Sequence, residues 1–135
     1  MPSSLRFVLI LLGLGALSAP VAVYVIYAQD RAQARITAEQ ITGGRVTEGK
    51  TLVARYGCGA CHEIGSVAGL TGKVGPSLNG VASRAEIAGR LSNQPANMIF
   101  WIRFPQKVSP GNGMPNQGIG DGDARDIAAY LYTLR

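Results

Sequence analysis

One short segment holds all the thiols of the chain and its only imidazole. Both cysteines and the single histidine fall within the five residues Cys58-Gly59-Ala60-Cys61-His62. A thioredoxin-like redox pair would need a βαβ context, which the sequence lacks, and a zinc site would need two more ligands. The Cys-x-x-Cys-His spacing is instead typical of covalent attachment of a c-type haem through thioethers from Cys58 and Cys61. His62 would then supply the axial imidazole to the iron.

The second axial ligand must come from elsewhere, because the chain has no other histidine and only three methionines. Met1 is remote in the sequence, and Met98 lies in an apolar run, where a methionine usually fills a core. Met114 stands in the proline-bounded and glycine-rich loop 109–115, which cannot form a regular helix. The sequence therefore favours Met114. Ligation by His62 and Met114 would leave no open position for a small-molecule substrate, which indicates electron transfer.

The region around these residues is predicted to be all-α with long loops. One helix opens at Thr47, a candidate N-cap, and a second is predicted over 95–104, with the apolar run 98–102 largely buried. A third helix starts near Asp121, where acidic residues suit a helix N-terminus. Thirteen of the 18 glycines lie between residues 57 and 122, which leaves few side chains for a core. A haem would supply the missing apolar surface.

The N-terminal part of the chain is of a different kind. Residues 7–28 are 22 uncharged residues, of which 18 are apolar. As a helix they would extend about 33 Å, enough to cross a hydrocarbon core of about 30 Å. The alternative is a cleaved signal peptide ending at Ala28, although the run exceeds the usual apolar length of such peptides. The predicted organisation is a cytoplasmic N-terminus and transmembrane anchor at 1–28, a polar tether at 29–46, and a haem domain at 47–135.

A longer series of residues runs in a fixed order along that domain. Its members are Gly49, Cys58-x-x-Cys61-His62, Gly75-Pro76-Ser77-Leu78-x-Gly80, Arg84, Trp101, Pro105, Pro110-Gly111-x-x-Met114-Pro115 and Ile127-x-x-Tyr130-Leu131. In order and spacing, residues 49–134 resemble a class I cytochrome c. The resemblance implies the class I cytochrome c fold around one covalent haem c.

The resemblance also implies roles for single residues. His62 and Met114 would be the axial ligands, and the carbonyl of Pro76 would accept a hydrogen bond from the second ring nitrogen of His62, which tunes the ligand. Leu78 would line the haem face. Arg84 would lie near a haem propionate, its alternative being a solvated surface arginine. Trp101 would stand beside the methionine ligand, either donating its indole N–H toward the pocket or filling the core.

The predicted function is that of a membrane-tethered carrier of single electrons between a quinol-oxidising complex and a terminal haem-copper oxidase. The alternatives are a fixed haem subunit of a larger respiratory complex and, beyond that, a haem enzyme or sensor with a displaceable methionine. Nucleic acid is not an expected partner, because the basic residues are scattered without an aromatic or arginine cluster.

The predicted location is the bacterial inner membrane, with a single membrane pass. Arg6 precedes the apolar run while Arg31, Arg35 and Arg45 follow it, so the positive charges alone favour a cytoplasmic C-terminal side. In the family that the chain resembles, haem is attached on the outer face of the membrane. Since translocated domains tolerate modest loop charge, we expect the haem domain on the periplasmic side.

Overall fold

A computed structural model describes residues 2–135 as two units, one ending at Gln33 and the other spanning Ala34–Arg135. Met1, a candidate ligand considered above, lies outside the described residues. The chain is mostly helical, as predicted. Its elements are helices α1 (Ser3–Thr42) and α2 (Val46–Arg55), 3-10 turns Cys58–Ala60 and Val81–Ser83, strands β1 (Glu86–Ile87) and β2 (Leu91–Ser92), and helices α3 (Pro95–Arg103), α4 (Pro105–Val108) and α5 (Asp121–Leu131).

The first unit consists of the N-terminal part of α1. Every residue between Pro2 and Gln33 is exposed, including the large apolar ones. Within the described residues, α1 is the helix with the length and hydropathy needed to cross a membrane. A core helix of a water-soluble domain would bury one face, and this segment buries none. The segment therefore has the properties of a membrane anchor or a signal sequence.

The core of the second unit forms where α2 crosses α5. A Cβ atom built on Gly49 would lie 1.9 Å from the carbonyl oxygen of Asp126 and 2.9 Å from Cβ of Tyr130. Glycine at this position therefore permits backbone contact between the two helices. Helix α3 packs on α5 from another side. The fully buried core includes Val53, Ile64, Met98, Ile127 and Tyr130.

The apolar run in α3 is less buried than its composition suggests. Met98, Ile99 and Ile102 are buried, but Phe100 is 44% exposed and Trp101 is half-buried. The prediction that the whole run would be largely buried is wrong for Phe100. The helical period turns Phe100 away from α5, and its ring contacts that of Phe104, with 5.5 Å between the centroids.

The two strands form a hairpin that sequence patterns do not reveal. β1 and β2 pair antiparallel, with Glu86 opposite Ser92 and Ile87 opposite Leu91. Ala88 and Gly89 between them have positive φ values of 54° and 62°. Strands of two residues are too short to show an alternating apolar pattern, which is why no strand was predicted.

The last turns of α1 belong to the folded second unit. Ala34, Ala38 and Thr42 are spaced four residues apart, and all three are buried. Arg125 of α5 donates a hydrogen bond from Nη1 to the carbonyl oxygen of Thr42, at 3.2 Å. The sequence predicts a tether over residues 29–46, whereas the compact unit of the structure begins at Ala34. Residues 29–33 therefore form the polar stretch between the apolar run at 7–28 and the compact unit.

Helix α2 is capped from other helices rather than by Thr47. The helix begins at Val46, so the predicted N-cap is wrong, and Arg45 in that position makes no side-chain cap. The backbone N–H of Arg45 donates to Asp126 Oδ1 at 2.6 Å, and that of Val46 donates to Glu39 Oε1 at 3.0 Å. Two carboxylates thus satisfy N–H groups that lack a partner within the helix.

We expect Glu39→Ala to lower the free energy of unfolding by about 1 kcal/mol at pH 7, the usual effect of losing a helix cap. The hydrogen bond from Val46, and then the contact with Arg35, holds the pKa of Glu39 below its ordinary value of 4.5. A lowered pKa stabilises the fold above pH 4.5, and this contribution is lost as the pH falls through the folded-state pKa. Denaturant titrations across this range should therefore show the two proteins converging in acid.

The matched control is Glu39→Gln, which keeps a side-chain oxygen for the Val46 N–H but carries no charge. This variant should be destabilised less than Glu39→Ala and should lack the acid-dependent component of the wild-type carboxylate. Equal stability of all three proteins at pH 7 would contradict the capping role.

Candidate haem site

The two cysteines and the histidine lie on one tight turn directly after α2. Gly57, with φ at 68°, ends the helix and starts the 3-10 turn that begins at Cys58. The backbone N–H groups of Cys61 and His62 both donate to the carbonyl oxygen of Cys58, at 3.2 and 2.9 Å. Both cysteines are half-buried and neither forms a disulfide, and before a haem is attached burial raises the pKa of the Cys58 thiol.

The ring of His62 is oriented by the loop that follows. Its Nδ1 lies 2.7 Å from the carbonyl oxygen of Pro76, the contact that the sequence resemblance implies. A carbonyl oxygen can only accept a hydrogen bond, so Nδ1 carries the proton. In the neutral ring the lone pair is then on Nε2, the tautomer in which an imidazole binds a metal through that atom.

Gly75 provides the space in which this ring sits. A Cβ atom at residue 75 would lie 2.5 Å from Cε1 and 2.7 Å from Nδ1 of His62, closer than real contacts allow. The Gly75 N–H also donates to the carbonyl oxygen of Cys61, at 2.8 Å. Leu78, further along the loop, is half-buried against the core, and its N–H donates to the carbonyl oxygen of Glu63 at 2.9 Å. The loop after the Cys-x-x-Cys-His turn is thus fastened to that turn.

Arg84 holds the same loop from the other end. Its Nη2 donates to the carbonyl oxygens of Ser77 and of Asn79, the latter at 3.1 Å. Asn93 in turn fixes the backbone of Arg84, because its Nδ2 donates to the Arg84 carbonyl oxygen at 2.8 Å. Arg84 is therefore a partly buried loop clamp and not a solvated surface residue. The guanidinium has five N–H donors, and these contacts use only those of Nη2. The remaining donors are available to a haem propionate, and that contact stays a prediction.

The remaining predicted residues come from α3 and the loop after α4. Trp101 is half-buried and packs on the same core as Cys58 and Leu78. Met98 is only 2% exposed within that core, whereas Met114 is half-buried in the loop between α4 and α5. The structure thus places Met98 in the core and Met114 in a loop, as the sequence predicts.

The Met114 loop is held by two side chains that were not among the predicted site residues. The side-chain amide of Gln106 donates to the carbonyl oxygen of Met114, at 2.7 Å. The side-chain oxygen of Asn112 accepts the N–H of Met114, also at 2.7 Å. An asparagine between glycines is a turn signal that points to Asn112. No comparable signal marks Gln106, because its partners are backbone groups.

The residues present fit a covalent haem c. Such a group needs thiols for thioethers and an imidazole with a free nitrogen, and the turn at 58–62 offers both. Cys58 and Cys61 are the only cysteines in the chain, so the covalent bonds fall to them. The absence of a side chain at Gly75 is a second observation in favour, since any side chain there would displace the imidazole that would bind the iron.

Comparisons with known proteins agree with this geometry. The Cytochrome c family model matches residues 46–135. The chain is 36% identical over 105 residues to cytochrome c2 of Rhodopila globiformis, covering 68% of this chain and 95% of that protein. It is 38% identical over 91 residues to cytochrome c2 of Rhodoblastus acidophilus, covering 58% of this chain and 83% of that protein. No solved structure gives a significant match.

A third relative is a larger protein. Over 98 residues the chain is 32% identical to cytochrome c oxidase subunit 2 of Alkalihalophilus pseudofirmus, which covers 72% of this chain. The chain spans only 28% of that subunit. The family model, by contrast, covers the whole turn, clamp and methionine loop described above. The chain therefore belongs to the cytochrome c family, as a class I c-type cytochrome that binds haem c covalently and transfers electrons.

Proposed function

We propose that this chain is a membrane-anchored electron carrier between a quinol-oxidising complex and a terminal haem-copper oxidase, with its cytochrome unit on the periplasmic side of a bacterial inner membrane. The observation that carries the proposal is the fully exposed apolar helix at residues 7–28, attached to a cytochrome unit. Haem c supplies a one-electron ferric–ferrous couple when bound. The chain's own residues hold that group and restrict the exchange of its ligands.

In this proposal His62 and Met114 are the axial ligands. His62 is aimed by Pro76 and is left with a free Nε2, and Met114 stands on a loop held at both its N–H and its carbonyl oxygen. A thioether ligand favours ferrous iron and raises the potential, which suits a donor to an oxidase. Leu78, Arg84 and Trp101 complete the proposed haem surroundings.

The partners are proposed from chemistry and from one relative. The similarity to a protein named cytochrome c oxidase subunit 2 supports an oxidase as the acceptor. Residues 45–135 carry ten basic and six acidic side chains, a net charge of +4, which two ionised propionates would reduce to about +2. Membrane attachment lessens the need for stronger charge steering, since it already confines the search for a partner.

A second candidate is a fixed subunit of a respiratory complex. Its support is the same oxidase relative, together with the short polar stretch of residues 29–33 between the apolar run and the folded unit. A short connection limits the distance that a carrier can travel between partners.

Extraction of the native membrane with a mild detergent, followed by gel filtration with haem detection, distinguishes the two. We expect a single haem protein whose mass, measured by mass spectrometry on the eluted fraction, is that of the 14.2 kDa polypeptide plus one covalently attached haem. Co-migration with other haem subunits would overturn the independent carrier in favour of the fixed subunit. A mature chain beginning at Gln29, recovered in the soluble fraction, would overturn the anchor.

A further inference from the structure

The Met114 loop is closed by one side-chain amide from α4. Gln106 donates from Nε2 to the carbonyl oxygens of Asn112 and Met114, at 2.9 and 2.7 Å. Its Oε1 accepts the N–H of Gly111 at 2.9 Å. The N–H donors and the oxygen of this amide thus all bind backbone groups of residues 111–114. The side chain of Gln106 is itself partly buried beneath the loop.

Asn112 completes the closure from within the loop. Its Nδ2 donates to the carbonyl oxygens of Pro105 and Ser109, the first at 3.0 Å, while its Oδ1 accepts the Met114 N–H. The backbone of Met114 is therefore held on both sides, by Asn112 at its N–H and by Gln106 at its carbonyl oxygen.

These contacts replace secondary structure in this part of the chain. Residues 111–120 form no helix or strand, and Gly111 has a φ of 79°. None of residues 111–118 is buried, so side-chain amides are the principal groups that fix the backbone of this stretch. A loop that is held mainly by hydrogen bonds opens easily once those bonds are removed.

We propose that Gln106 is a positioning residue for Met114, and that its amide sets how readily the thioether leaves the iron and an external ligand enters. The inference rests on the proposed function, in which Met114 is the axial ligand. The exchange breaks one iron–sulfur bond and forms one iron–nitrogen bond at ferric iron, without a change of oxidation state.

The test is an imidazole titration of the ferric, full-length holoprotein in detergent at fixed pH. We expect Gln106→Leu, which keeps the bulk of the side chain without its amide, to raise the apparent imidazole affinity by roughly 10- to 100-fold, as expected for two or three lost hydrogen bonds. The weak near-infrared methionine–iron band should be present in this variant and should disappear at lower imidazole concentrations than in the wild type.

A second variant keeps the oxygen acceptor of the amide and removes its N–H donors. Gln106→Glu keeps an oxygen for the Gly111 N–H but replaces the Nε2 donor with an oxygen that faces two carbonyl oxygens. Its effect on imidazole affinity should therefore be at least as large as that of Gln106→Leu. This variant also keeps the inference testable if Gln106→Leu does not mature.

Asn97 offers a control amide outside both the Met114 loop and the loop that orients His62. Its Nδ2 donates to the carbonyl oxygen and to the hydroxyl oxygen of Ser92, both at 3.0 Å. Asn97→Leu should change imidazole affinity no more than about twofold, since its bonds lie outside the Met114 loop.

The outcomes separate the inference from the function on which it rests. If the near-infrared band survives Met114→Ala, the ligand assignment fails, and the inference fails with it. If the band depends on Met114 but both Gln106 variants bind imidazole as the wild type does, only the role of Gln106 is overturned. An Asn97→Leu effect as large as that of Gln106→Leu would likewise overturn it, because loss of any side-chain amide would then suffice.

Discussion

Met114→Ala should abolish the near-infrared methionine–iron band and lower the midpoint potential on the order of 100 mV or more, because axial ligands tune haem potentials over about 0.8 V. The proposed thioether stabilises ferrous iron, and alanine has no atom to replace it. Optical spectra of the oxidised protein and a redox titration measure the two effects. The same variant should bind imidazole without the competition that the wild-type ligand provides.

Met98 provides the control for this prediction. It is buried in the core and has nearly the same volume as leucine, so Met98→Leu should keep the band and cost less than about 1.5 kcal/mol of stability. A band that survives Met114→Ala and disappears in Met98→Leu would reverse the ligand assignment.

Gly49→Val should lower the free energy of unfolding by more than about 3 kcal/mol, which places it among the most damaging single substitutions. A Cβ atom at residue 49 would lie 1.9 Å from the backbone oxygen of Asp126, and backbone cannot rotate away as a flexible side chain can. Helices α2 and α5 would have to separate. Denaturant unfolding of the holoprotein, followed by far-ultraviolet circular dichroism, measures the loss.

Gly49→Ala introduces the same Cβ atom with less bulk and provides a milder variant if the valine protein does not mature. Gly122→Ala is the matched control, because residue 122 lies in α5 and no atom from outside its own stretch of helix lies within 4 Å of the position a Cβ would take. Alanine there should be neutral or stabilise by up to about 1 kcal/mol, since glycine is a poor helix former. Similar losses at the two sites would show that the effect is one of helix propensity and not of packing.

The covalent site was readable from the sequence because its chemistry depends on adjacent residues. Two thioethers and an axial imidazole require Cys58, Cys61 and His62 in fixed spacing, and that spacing survives any rearrangement of the loops. Helices α2, α3 and α5 were also predicted to within a few residues, because each combines an apolar period with an end signal.

What the sequence does not reveal are contacts that depend on distant residues. Ala34, Ala38 and Thr42 are small, so their periodic burial leaves no apolar pattern, and the segment looks like a polar tether. The carboxylate of Asp126 caps the backbone of Arg45 across 81 positions of sequence, so no local signal for the cap exists. Phe100 was expected inside because it is apolar, and only the orientation of α3 decides that it is not.

Contact between α2 and α5 also constrains the order in which the protein matures. The helix before the Cys-x-x-Cys-His turn acquires its packing partner only when residues 121–131 have been made. Closing so long a loop is entropically costly and slow, and the Gly49 crossing cannot form sooner. Before that crossing forms, the segment that carries Cys58 and Cys61 lacks the packing of the folded unit, so both thiols are more accessible then than in the folded chain, where they are half-buried.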